Sequence, residues 1–122
     1  MEKPPHGLLS PATVVRVIDG DTVVVKVRDF EADVRLSDVW CYETNRGTEE
    51  QRQAGIAAKR WMQEMLPVGT KVFVHVKLKR GQNIKQVLSF GRTVGVIWKV
   101  GKVFSVNEQI VQAGHATMER PR

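Results

Sequence analysis

The stretch VVRVIDGDTVVVKV, Val14 to Val27, decides the fold. Val14–Ile18 and Thr22–Val27 are rich in β-branched residues and flank Asp19-Gly20. Asp-Gly between two such runs is a hairpin signal, because both residues tolerate positive φ. Working outward, Val34–Val39 reads as a third strand, with Val34 and Leu36 alternating with Arg35 and Ser37. The period then changes. Thr48-Glu49-Glu50-Gln51 has the form of a capping box, with acids on the positive end of the helix dipole. Ala54, Ala57, Ala58, Trp61 and Met65 follow as an apolar stripe, and Pro67 and Gly69 stop the helix.

Beyond the helix, Val72, Val74, Val76 and Leu78 alternate with Lys71, Phe73, His75 and Lys77 as a half-buried strand. Lys79 to Lys85 is a polar, basic loop. Gln86–Phe90 and Thr93–Val100 are two further strands, separated by Gly91-Arg92. Gly101 allows a tight turn. Ser105-Val106-Asn107-Glu108 is a second capping box, opening a short helix that ends at Gly114. Short strands with a helix inserted after the third predict a mainly β fold. Its form is a five-stranded β-barrel of the OB-fold type, with a short C-terminal helix. A single domain over residues 1–122 is expected, its core about residues 12–116.

Composition narrows the class. With 122 residues, 42% hydrophobic and 26% charged, the chain fits an ordinary globular domain rather than a disordered one. Its one cysteine, Cys41, excludes an intramolecular disulfide framework and a multi-cysteine metal site. No apolar run approaches a membrane span, so no membrane is expected among its partners. Met1–Pro11 lacks the pattern of a signal peptide; the expected location is cytoplasmic as given, or secreted if this is a processed form.

Charge is the first functional clue. Residues 1–64 carry 9 basic and 11 acidic residues, whereas residues 65–107 carry 8 basic residues and no acid. Lys71, Lys77, Lys79, Arg80, Lys85, Arg92, Lys99 and Lys102 make a segment that attracts polyanions, of which nucleic acid is the commonest. A solvated basic face without a partner is the plainer alternative.

Several residues could carry chemistry, each with an ordinary structural counterpart. Asp19 and Asp21 bracket Gly20 and suit a hard cation, or simply serve the turn. Arg35 alternates with the apolar side of its strand and suits a two-pronged phosphate contact, or solvation. Glu43 is a general base or water-orienting group, or a surface glutamate. Arg92 follows a glycine that lets a backbone approach a ligand, or makes a turn. Cys41 reads as a half-buried thiol rather than a nucleophile. Trp40, Trp61 and Trp98 read as core or half-core, with Trp40 also open as a stacking platform.

Taken in order, Ile18-Asp19-Gly20-Asp21-Thr22, Val34-Arg35-Leu36 with Glu43-Thr44, Gly55 to Lys59, Phe90-Gly91-Arg92, and Val106-Asn107-Glu108 leading to Gly114 resemble the staphylococcal nuclease (thermonuclease-like) family. The resemblance runs from about Val14 to Ala116. It implies an OB-fold barrel and calcium-dependent, sugar-nonspecific endonuclease cleavage of DNA and RNA. Asp21 would hold the metal with the backbone carbonyl of Cys41, and Asp19 would lie near it. Glu43 would be the general base or orient the water, and Arg35 and Arg92 would stabilise the transition state. Lys77, Lys79, Arg80, Lys85 and Phe90 would contact nucleic acid, single strands preferred. A monomer is expected.

The chain also departs from that pattern. The family's Asp-x-Pro-Glu reads Trp40-Cys41-Tyr42-Glu43 here, so the second metal carboxylate is an indole. Asp38 is about 7 Å away along an extended strand and could not replace it without a register change. The tyrosine before Gly-Arg is Phe90, Arg120-Pro121-Arg122 stands near where later tyrosines occur, and the longer C-terminal helix is absent. Three readings follow: a nuclease with an altered metal site, favoured by the joint retention of Asp21, Arg35, Glu43 and Arg92; a nuclease-fold module that binds nucleic acid without cutting, favoured by Trp40; and a protein- or oligosaccharide-binding barrel, which no specific residue favours.

Overall fold

A computed structural model describes residues 8–76 and 92–118. The fold is mainly β. Strands β1 (Leu8–Asp19), β2 (Thr22–Val27), β3 (Phe30–Leu36), β4 (Lys71–Val76) and β5 (Arg92–Lys99) close into a barrel in the order β1-β2-β3-β5-β4. Helix α1 (Glu49–Met65) follows β3, and helix α2 (Val106–Gln112) follows β5. All pairings are antiparallel except β3 with β5. Val14, Val23, Val25, Val34, Leu36, Val72, Val74, Val76 and Ile97 fill the barrel. Met62 and Leu66 of the α1 end and Val106 and Ile110 of α2 extend the same core. Among the described residues, no helix is long and apolar enough to cross a membrane.

The barrel agrees with the sequence expectation, but four details differ. β1 begins at Leu8 rather than Val14. Its first half pairs with β4 alone, and pairing with β2 starts only at Thr13, so the absent amide of Pro11 leaves no gap between two partners. β3 runs from Phe30 to Leu36 rather than Val34 to Val39: it starts early because residues from Phe30 on pair with β2, and it ends at Leu36 because Asp38 turns left-handed, with φ 57°. On α1 the buried positions are Gly55, Ala58 and Met62, with Trp61 and Met65 half-buried, whereas Ala54 and Ala57 are exposed. Finally, neither residue of Asp19-Gly20 has positive φ. Gly20 is required for space: a Cβ there would lie 2.7 Å from Ala58 Cβ and 3.1 Å from Cys41 Sγ.

Both expected helix starts form. Thr48 Oγ1 accepts from Gln51 N (3.2 Å) while Gln51 Oε1 accepts from Thr48 N (3.0 Å), a complete capping box. Ser105 Oγ accepts from Glu108 N at 3.1 Å, but Glu108 Oε1 accepts from Ser105 Oγ (3.1 Å) rather than from the Ser105 amide, so the second expected capping box forms only as a one-sided cap. The turns at Gly69, Gly101 and Gly114 use φ of 90°, 84° and 83°, where glycine avoids the Cβ penalty. The expected strand Gln86–Phe90 lies outside the described residues.

Candidate functional site

The two buried small residues of α1, Gly55 and Ala58, set the site. Gly20, at the tip of the β1–β2 hairpin, seats against Ala58. One turn earlier, Gly55 faces the carbonyls of Tyr42 and Glu43, which a Cβ would approach to 2.6 Å. The helix therefore presses the 41–44 segment against the hairpin that carries Asp19 and Asp21.

Asp21 is the hub. Its Oδ1 accepts from Thr22 Oγ1 (3.1 Å) and its Oδ2 from the amide of Cys41 (3.4 Å). Arg35 Nη1 stands 3.6 Å from the same Oδ2. Nη1 also donates to the carbonyls of Val39 (3.0 Å) and Leu36 (3.3 Å), which hold the guanidinium at the end of β3. The left-handed turn at Asp38 is what brings the Val39 carbonyl back to it. The three sequence-predicted residues Asp21, Arg35 and Cys41 thus meet. Cys41 contributes its amide to Asp21; its thiol is buried, and burial pushes its pKa up to about 12, with Asp21 adding and Arg35 opposing. It is not a nucleophile at neutral pH.

Asp19 lies beside this group. Burial first, then Asp21, raises its pKa above the ordinary 3.8; Glu43 acts in the same direction, while Lys59 and a hydrogen bond with Thr44 oppose. Lys59 and Thr44 belong to the site's electrostatics although sequence reading gave them no role. Lys59 directly follows Ala58, whose contact with Gly20 brings it to the hairpin. Glu43 is not drawn to Arg35. Its side chain is 53% exposed and its carboxylate meets Arg46 Nε at 3.3 Å, a solvent-screened pair. Arg92 opens β5 opposite Asp33 in the parallel register, and Arg35 lies opposite Val94, so positions 35 and 92 share one outer sheet face. Lys77, Lys79, Arg80, Lys85 and Phe90 lie outside the described residues.

An open pocket of about 400 Å³ adjoins Arg35, walled by Ser37, Asp38, Trp40, Val94 and Met118 among others. Trp40 is half-buried, fixed by two backbone hydrogen bonds with Thr117 (2.8 and 3.0 Å) and an edge contact with Tyr42 (4.8 Å between ring centroids). Asn107, buried on α2, holds the sheet under this pocket. Its Nδ2 donates to the carbonyls of Ser37 (2.9 Å) and Gly95 (3.2 Å), and its Oδ1 accepts from Ile97 N (3.1 Å).

The donors present do not match a divalent cation, which takes six or more oxygens, several of them anionic. Among the described residues, no three His, Cys, Asp or Glu side chains gather as a metal-holding group. Asp21 has both oxygens engaged by the protein, and Trp40 offers the cluster no oxygen. No protein-family model matches this chain. No curated protein matches it either.

Proposed function

We propose that this barrel binds the phosphodiester backbone of DNA and RNA and hydrolyses it as an endonuclease. The observation that carries the reading is the guanidinium of Arg35, fixed by two carbonyls and Asp21 on the face that position 92 shares. Attack on a phosphodiester builds charge on its equatorial oxygens, and fixed guanidiniums stabilise that charge better than water that must reorient. Arg35 and Arg92 have that role. Glu43, exposed at the rim, takes the proton of the attacking water or orients it. Asp21 holds Arg35 in place. The basic segment of residues 65–107 supplies affinity without sequence preference. The ordered resemblance to thermonuclease-like proteins supports the same assignment.

A second reading is a barrel that grips nucleic acid without cutting it. Two observations favour it: both oxygens of Asp21 are engaged by the protein, and Glu43 pairs with Arg46 rather than Arg35. Cleavage of a single-stranded oligonucleotide, with calcium and with chelator, decides between them. Cleavage lost in Arg35→Ala by ~100-fold or more, with the fold intact, is the expected result. Salt-sensitive binding without cleavage in calcium, magnesium and manganese would replace it with the second reading. Calcium dependence, implied by the resemblance, is read from the chelator arm.

A further inference from the structure

At the end of the barrel away from Arg35, two turns project side by side. One is the turn after α1, with Val68 and Gly69. The other joins β5 to α2, with Val100, Gly101, Val103 and Phe104. The amide of Val100 donates to the Lys71 carbonyl, and Val72 pairs with Lys99, so the turns are held together. Their large apolar side chains face solvent: Val68 is 77% exposed, Val103 70%, Phe104 54% and Val100 52%. Beta carbons built on Gly69 and Gly101 would meet nothing within 4 Å, so both turns border open solvent at these positions.

Lysines flank these tips. Lys71, whose Nζ donates to Thr13 Oγ1 (3.1 Å) at an exposed position, and Lys102 are exposed, and Lys99 is half-exposed. No acid occurs between Met65 and Asn107. Glu108, next along the chain, is engaged by Ser105 at the start of α2. β5 separates this end from the Arg35 pocket: six residue steps run from Val94 to Val100, about 20 Å of extended chain.

We propose that these two tips dock the protein on an anionic lipid surface, a contact independent of the phosphodiester site. Convex apolar tips need depth rather than a matching cavity, and the acyl boundary of a bilayer gives depth. Lysines around them meet the phosphate and carboxylate headgroups. A nucleic acid would use the lysines but not the valines. A second copy of this chain would set lysine against lysine. The absence of a spanning segment, from which no membrane partner was expected, does not bear on a peripheral contact of this kind.

The test is sedimentation of the full chain with vesicles. One set is phosphatidylcholine alone and one carries roughly a third phosphatidylserine. Partition onto the anionic set is expected to be at least about tenfold stronger. Val103→Ser with Phe104→Ser leaves the charge unchanged and should cost about tenfold or more of that partition. Lys71→Gln with Lys102→Gln should cost about 25-fold, from about fivefold for each lysine at the surface. All four side chains lie at exposed positions, and circular dichroism checks that the variants fold. Equal partition onto both vesicle sets, or a serine double variant that partitions like the parent, would overturn the proposal. So would loss of partition in Arg35→Ala, because the lipid headgroup would then be occupying the phosphodiester site.

Discussion

Replacing Asn107 by alanine tests the structural reasoning at its most demanding point. β3 pairs with β5 only as far as Leu36 opposite Gly95, so the amide of Ile97 has no strand beside it on that side. Asn107 Oδ1 takes the place of the missing strand, accepting from Ile97 N at 3.1 Å, while its amide group donates to Ser37 O and Gly95 O. Ile97 is fully buried, so the substitution leaves its N–H without a partner, at about 2 kcal/mol. Ser37 is half-exposed and water reaches its carbonyl, so that loss is smaller, about 0.5 kcal/mol. Gly95 O keeps a second donor, Ser37 N at 2.8 Å, and adds little. With the small void left behind, the sum is about 3 kcal/mol, or ~10 °C in Tm for a chain of this size. Urea unfolding followed by tryptophan fluorescence measures it, with an unchanged m-value. Gln109→Ala is the control on the same helix, since its bond to Phe104 O is exposed; its cost should stay below about 1 kcal/mol. An Asn107→Ala variant no less stable than Gln109→Ala would refute the account of how β5 is held.

Three further outcomes are expected. The raised pKa of Asp19 means that the folded state binds more protons than the unfolded one across the window upward from 3.8, so stability falls as pH rises through it. Asp19→Asn should therefore raise Tm at neutral pH, with the gain closing below about pH 3.8; a gain independent of pH would contradict it. Cys41, buried and with its pKa at about 12, should resist thiol reagents at neutral pH until the protein unfolds, and prompt labelling of the native state would place it elsewhere. Trp40→Asp puts a carboxylate next to Cys41, whose amide binds Asp21, and should create calcium binding detectable in a calorimetric titration where the parent shows little. An unchanged titration would argue against the position given to residue 40.

The barrel was legible because its strands carry period-two alternation and its helices carry side-chain caps at Thr48 and Ser105, both local signals. Terms that arise only in three dimensions were not. Gly20 and Gly55 look like turn and helix residues; that each is small because another backbone passes over it depends on the docking of α1. Asn107 was legible as part of a helix start and of the resemblance, but not as a clamp on β5, since its partners Ser37 and Gly95 are remote in sequence. For the site, residue identities could be picked out, and the meeting of Asp21 with Arg35 follows from the register of β2 with β3, where Thr22 faces Arg35. The pairing of Glu43 with Arg46 was not visible, because it is decided by a short loop with no period of its own.

The most direct measurement is cleavage of single-stranded DNA by Glu43→Gln beside the parent protein, with binding to the same strand measured in parallel. The account predicts cleavage by the parent, a loss of ~100-fold or more in the variant, and binding of the strand by both. Equal cleavage by both proteins would contradict the role given to Glu43 and with it the proposed chemistry.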